Sequence, residues 1–257
     1  MIFSGFNCGF TDELLEANFD FDSVFTIEFW FKKSGSFGDF EGLVAKRDNI
    51  PFTATLPCNY GFNINSEVLQ FYSFFHPGDG VYNCTYSTSN IATETWHHVA
   101  GSMEQIGDSV EIKLYFNGLL VDEQTYQFQL SDNLNDGEFN IGASTCLNPI
   151  LTTFPFEPFV GMMDEVRVWN SIRTAAEIEN HMNVKLSGRE EDLLAYYKMD
   201  IEDSICDIES CEGIENHANR TSAGSMPFPE YVEDVPFTSD QSCEVDLSCN
   251  TLPVERS

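Results

Sequence analysis

Nine residues near the start of the chain restrict its fold more than any others. In Val24-Phe25-Thr26-Ile27-Glu28-Phe29-Trp30-Phe31-Lys32 a large apolar side chain recurs at every second position. Strand side chains alternate between faces. Phe25, Ile27, Phe29 and Phe31 therefore line one face, and Thr26, Glu28, Trp30 and Lys32 the other, the pattern of a half-buried strand. Trp30 on the polar side implies that this side is partly covered or forms a contact surface.

Further strand-like runs follow at short spacing. They are 1–7, 42–49, 60–64, 69–75, 81–86, 95–103, 110–116, 119–126 and 138–143. The pair 60–64 and 69–75 reads as a hairpin over Asn65-Ser66-Glu67. Asn117-Gly118 joins 110–116 to 119–126 and is the strongest two-residue hairpin signal a sequence carries. A loop at 144–158 precedes the strand Met163-Asp164-Glu165-Val166-Arg167-Val168-Trp169. Alternation places Val166 and Val168 on one face and Met163, Glu165, Arg167 and Trp169 on the other. Thr174 and Glu177 then form a capping box, with Ile178 and Met182 as the apolar stripe of a short helix. A last strand covers 193–200. About a dozen strands and one brief helix before the last of them predict an all-β, two-sheet antiparallel jelly-roll sandwich. The 23 phenylalanines suit two inner faces filled by rings.

From Ile201 the strand pattern stops. We expect the sandwich domain to span 1–224. An acidic tail or linker follows over 225–257, with Pro227, Pro229, Pro236, Pro253 and one basic residue, Arg256. The net charge of −30 argues against nucleic acid or an anionic membrane as partner, since phosphate binding needs a basic surface. It is compatible with cations. No apolar run approaches the roughly 18 residues of a membrane span.

The eight cysteines are Cys8, Cys58, Cys84, Cys146, Cys206, Cys211, Cys243 and Cys249. No C-x-x-C occurs, which disfavours zinc knuckles and thioredoxin-type motifs. An even count, strong acidity and the sequons at Asn83 and Asn219 favour disulfides and an extracellular setting. Cys206–Cys211 and Cys243–Cys249 would close small loops. Cys58–Cys84 would bridge neighbouring hairpins and leave Cys8–Cys146, one of roughly 105 connectivities. The first ten residues lack the basic and apolar regions of a signal peptide. The expectation is a secreted protein whose signal has been removed, or part of a longer one.

The strings FTIEFWFK, LVAKRDN, YGFNI, WHHVAGS, IKLYFNG, FNIGAS, FVGMMDEVRVWN-x-x-RTAAEI and LLAYYKMD, in this order, resemble the concanavalin A-like jelly-roll superfamily, and within it laminin G-like and pentraxin-like modules. The resemblance covers 1–200. It implies a calcium site. Lys46-Arg47-Asp48-Asn49 looks like the family's calcium turn with one residue fewer, and Glu157, with Asn148, falls in the loop that closes it. No Asp or Glu lies between Ser144 and Phe156, so the resemblance implies a single ion. The family's intra-sheet cysteine pair is replaced by Glu28 and, approximately, Ala100. A mixed oxygen set of this kind suits Ca2+.

Hydrolases of this superfamily need two carboxylates about 5–9.5 Å apart. No strand carries such a pair on one face, because Asp164 and Glu165 are adjacent. His97 and His98 also face opposite ways. Arg167 and Glu165 fit a structural ion pair, and Arg173 a tether between helix and sheet. Tyr72, Phe74, His76, Asp79 and Tyr82 cluster around the turn at 76–80 and are candidates for a sugar-binding surface. We expect a secreted, non-catalytic recognition or adhesion module that binds glycan or an extracellular protein with the help of Ca2+. The alternatives are a self-associating subunit of an extracellular assembly, with contacts through the cysteine-rich tail, and a polysaccharide-acting glycoside hydrolase.

Overall fold

A computed structural model describes residues 2–4, 9–10, 19–36, 38–47, 58–75, 81–87, 91–135, 137–145 and 156–199. The strands are β1 (Ile2–Ser4), β2 (Gly9–Phe10), β3 (Val24–Lys33), β4 (Phe40–Arg47), β5 (Cys58–Asn65), β6 (Val68–Phe75) and β7 (Val81–Tyr86). They continue as β8 (Trp96–Ile106), β9 (Ser109–Phe116), β10 (Leu119–Tyr126), β11 (Glu138–Ile141), β12 (Ala143–Thr145), β13 (Phe156–Pro158) and β14 (Val160–Trp169). Helix α1 (Ala175–His181) and β15 (Leu193–Tyr197) complete the order. One sheet has seven strands in the order β1-β14-β3-β8-β9-β10, with β15 also on β14. The second has six, β2-β11-β4-β5-β6-β7, and β12 pairs with β13. The two large sheets form the predicted antiparallel jelly-roll sandwich. The boundary expected near residue 224 lies outside the described residues.

Alternation builds the core as anticipated. Phe25, Ile27, Phe29 and Phe31 are fully buried and face Tyr60, Phe62, Ile64, Leu69 and Phe71 of the opposite sheet. Burying one such ring stabilises the fold by roughly 1.5–3 kcal/mol. Phe62 and Phe71 stack at 4.3 Å between centroids, and Phe29 meets Phe62 edge-on at 5.1 Å. Gly101 of β8 makes room for this stack, since a Cβ there would lie 2.6 Å from both Phe62 and Phe71. The Asn117-Gly118 turn has φ values of 50° and 80°, the left-handed pair that a tight hairpin requires.

Two expectations need correction. The segment 144–158 is not loop throughout, because its ends pair as β12 and β13. In β14 the pairing with β3 shifts between Asp164 and Arg167, and Glu165 has φ 53°. This bulge changes the alternation phase. Met163 therefore joins Val166 and Val168 in the core, while Glu165, Arg167 and Trp169 stay on the outer face.

That outer face is roofed by α1 and the segment after it. The Thr174–Glu177 capping box forms as predicted. Trp30 Nε1 donates to the Met182 carbonyl at 2.7 Å, which covers Trp30 almost completely. Arg167 donates to the carbonyls of His181 (3.0 Å) and Val184 (2.7 Å) and to Glu165 Oε2 (2.5 Å). Glu28 lies directly opposite Ala100, as the resemblance implied. Its carboxylate accepts from Trp169 Nε1 at 3.0 Å and lies 3.5 Å from both Arg167 and His98. Burial alone would raise the Glu28 carboxyl. The hydrogen bond with His98, the Arg167 charge and the Trp169 N–H outweigh it and hold the group at about 2. Arg173 sits over the Trp169 ring at 4.2 Å, the expected tether.

Candidate functional site

The outer face of the six-stranded sheet is different. Alternation that sends Phe62 and Ile64 inward sends Gly61, Asn63 and Asn65 of β5 outward, and the same rule turns Gln70 and Tyr72 of β6 to that outer face. Register then aligns them. Asn63 pairs with Gln70, Gln70 with Tyr86 on β7, and Asn65 with Phe40 on β4. These residues, with Arg47, Cys58, Cys84 and Glu157, line a groove of about 260 Å³.

The groove has an amide floor between aromatic walls. Phe40 and Tyr86 are 46% and 44% exposed, large values for aromatic rings. Tyr72 is buried because its ring lies over Gly61, where a Cβ would come within 2.5 Å of the ring. Asn63 is 7% exposed, and among the described residues its Oδ1 has no hydrogen-bond partner. Leaving a buried acceptor unpaired costs roughly 1–3 kcal/mol.

One end of the groove is charged. Glu157 is held at φ 51°, a left-handed conformation uncommon for a non-glycine residue and typical of ligand clamps. The Ser144 hydroxyl donates to its Oε2 at 2.5 Å, and Arg47 Nη1 lies 3.8 Å from the same oxygen. At the other end the Cys84 thiol donates to the Tyr86 hydroxyl at 2.6 Å. That contact, then burial, pushes the Tyr86 phenol up to about 12, so it stays neutral. The exposed edge of β7 is covered by β10: Asp122 accepts from the Tyr86 backbone N–H at 3.0 Å, and Tyr126 donates to the Cys84 carbonyl at 2.8 Å.

The sequence-derived candidates fall as follows. Tyr72 is in the groove. The backbones of Phe74 and Tyr82 pair across β6 and β7 in the register next to it, with side chains outside the described set. His76 and Asp79 lie outside the described residues, as do Asp48, Asn49 and Asn148 of the expected calcium set, Asn219, Cys8, Cys146, Cys206, Cys211, Cys243 and Cys249. Glu157 is the one calcium candidate described. It is already matched by Ser144 and a guanidinium, a setting that does not fit a divalent cation by itself. Among the described residues no group of three or more His, Cys, Asp or Glu side chains gathers around a common point. His97 and His98 face opposite ways as expected: His97 stacks on Phe116 and His98 approaches Glu28.

The suggested Cys58–Cys84 bridge is not formed. Neither cysteine is in a disulfide, and both are buried against Tyr72. They lie on β5 and β7 with β6 between them, so two strand spacings of about 4.8 Å separate them, beyond the roughly 7 Å limit for a disulfide. Burial pushes the Cys58 thiol up to about 12. Asn83 of the first sequon lies within β7 and is 7% exposed. Sequence inspection missed Phe40, Asn63, Asn65, Gln70 and Tyr86. The signal was present in their alternation with buried rings, but only the strand order gathers them.

A family model described as the concanavalin A-like lectin/glucanases superfamily matches residues 11–179. The chain belongs to this superfamily. No curated protein matches it. Among solved structures, a protein from Bacteroides ovatus described as a candidate carbohydrate binding protein is similar, with a TM-score of 0.54 and 21% identity over 77% of this chain. The chain spans 50% of that protein's length. The CBM40 module of the Ruminococcus gnavus IT-sialidase bound to α2,3 sialyllactose has a TM-score of 0.54 and 14% identity, covering 70% of this chain and 94% of the module. The same module bound to α2,6 sialyllactose gives 0.53 and 13%, covering 70% and 96%. At these identities the likeness is one of fold. No helix among the described residues is long and apolar enough to cross a membrane.

Proposed function

We propose that this chain is a non-catalytic recognition module that binds a glycan in the groove across the outer face of the six-stranded sheet. The observation that carries this is the groove itself, an amide floor of Asn63, Asn65 and Gln70 between the exposed rings of Phe40 and Tyr86. Sugars present apolar C–H faces and hydroxyl edges, so rings and amides side by side suit them. The carbohydrate-binding descriptions of similar folds support the same choice. Glu157 is the one carboxylate lining the groove among the described residues, whereas glycoside hydrolysis uses two.

The test is a glycan array probed with the purified chain. Binding should weaken about tenfold on Tyr86→Ala or Phe40→Ala, the worth of a lost stacking contact of about 1–1.5 kcal/mol, with melting temperature unchanged. Binding that ignores both changes would move the site elsewhere. Secretion and a role in adhesion belong to the same proposal and rest on the cysteine content and acidity of the sequence. Calcium is a separate proposal, resting on the family-like sequence Lys46-Arg47-Asp48-Asn49 and on Glu157, which lies 3.8 Å from Arg47. Calorimetry with CaCl2 tests it, and absence of heat together with an unchanged melting temperature removes the ion.

A further inference from the structure

We infer that the groove selects neutral, hydroxyl-presenting glycan segments and rejects glycans that carry carboxylates. This rests on the assignment of the groove as a glycan site and names the class of ligand it takes.

Three observations point the same way. The first is Asn63, which lines the groove and whose buried Oδ1 has no hydrogen-bond partner among the described residues. A sugar hydroxyl can donate to it, whereas an ionised carboxylate is acceptor-only and cannot. Bringing a carboxylate against this oxygen would leave both unsatisfied and add repulsion. A site built to hydrogen-bond a hydroxyl rejects analogues that lack the donor.

The second is the charged end. Glu157 is fixed by its strained backbone and by the buried Ser144 hydroxyl, so its carboxylate does not swing away from an incoming ligand at no cost. Arg47 is not offered to a ligand as an isolated cation, because Glu157 lies 3.8 Å from it. The two present a donor and an acceptor side by side. Adjacent sugar hydroxyls, each able to donate and accept, match that pair. A ligand carboxylate would gain Arg47 only while meeting Glu157 as a like charge.

The third is the field of the whole chain. A net charge of −30 lowers the local concentration of anions and slows their approach. Neutral glycans are indifferent to it.

The experiment compares neutral oligosaccharides with the same oligosaccharides bearing sialic or uronic acid, using the full chain, Asn63→Ala and Glu157→Gln. The unmodified chain should bind neutral members at least about tenfold tighter than their acidic counterparts. Asn63→Ala should weaken neutral binding by about tenfold, the worth of one hydrogen bond to a buried acceptor. Glu157→Gln should narrow the neutral-to-acidic preference by a similar factor. Melting curves establish that both variants are folded. Tighter binding of acidic members, or neutral binding indifferent to Asn63→Ala, overturns this inference and leaves the glycan assignment standing. Binding to no glycan overturns both.

Discussion

Arg167→Met tests the buried ionic cluster under α1 most directly. Arg167 is 1% exposed, ion-paired with Glu28 and Glu165, and donates to the carbonyls of His181 and Val184. Methionine fills much of the same volume but leaves two buried carboxylates without their cation. Breaking a buried pair in this way costs about 3–5 kcal/mol, a large part of the roughly 5–15 kcal/mol that holds a domain folded. The pH dependence gives a second readout. Glu28 sits at about 2 in the fold against an ordinary 4.5. A depressed carboxyl contributes stability that is complete above the unfolded value and lost as pH falls through the folded one. At about 1.4 kcal/mol per unit the contribution is about 3 kcal/mol, lost between pH 4.5 and pH 2. His98 adds to the same trend, since burial lowers its pKa and acid favours the unfolded chain that can protonate it. Arg167→Met removes much of what holds Glu28 low, so the gap between the two proteins should close on acidification. Urea denaturation at pH 7 and at pH 3.5 measures this, with an expected midpoint shift of about 1–2 M at pH 7. Glu28→Gln combined with Arg167→Met should recover part of the loss. A deficit under about 1 kcal/mol at pH 7, or an equal deficit at both pH values, would refute the reasoning, because the cluster would then be neither dry nor coupled.

Other predictions concern the core, the turn and the thiols. Gly101→Ala should destabilise by about 1–3 kcal/mol in thermal melts, since the new methyl must displace the Phe62–Phe71 stack. Asn117→Ala should cost about 1–2 kcal/mol, because alanine disfavours the 50° φ and loses the bond that Asn117 Oδ1 accepts from His98 N–H at 2.9 Å. At pH 8 Cys58 should react with a thiol reagent only on unfolding, since burial pushes its thiol up to about 12 and keeps the thiolate scarce. Rapid labelling of Cys58 in the native protein would contradict that.

Most of the fold was legible because it depends on period-two alternation, which a sequence displays directly. Phe25 to Phe31, the Asn117-Gly118 turn and the Thr174–Glu177 box all behave as their local pattern demands. Met163 did not, because a bulge is a decision about pairing partners. Nothing in Met163-Asp164-Glu165 announces that β3 will skip two of its opposite numbers. The groove was illegible for a related reason. Asn63, Asn65 and Gln70 look like any polar face of a strand until the order β4-β5-β6-β7 aligns them. The same order defeats the Cys58–Cys84 bridge by placing β6 between the two cysteines. Tyr72 could be named in advance from its aromatic neighbourhood, but its position over Gly61 required the register.

The two outer faces of the sandwich differ in a way that favours the six-stranded sheet for the proposed ligand site. Both faces carry polar and aromatic side chains at alternate positions, so composition does not separate them. On the seven-stranded sheet Glu28, Trp30, His98, Arg167 and Trp169 are each no more than 3% exposed. Trp30 and Arg167 donate to the carbonyls of residues 181–184 in the roof, and Glu28 and Glu165 hold Trp169, Arg167 and Tyr196 beneath it. A ligand would have to replace a network whose rupture costs several kcal/mol. On the six-stranded sheet Phe40 and Tyr86 remain open to solvent and Asn63 Oδ1 remains without a described partner. Apolar rings left in water and a buried acceptor left unpaired are both unfavourable in the unliganded chain. In the proposed complex each is relieved when a molecule with an apolar face and hydroxyl donors fills the groove, and that difference would supply binding energy. Tyr86→Ala and Asn63→Ala should therefore weaken binding without weakening the fold, whereas Arg167→Met should do the reverse.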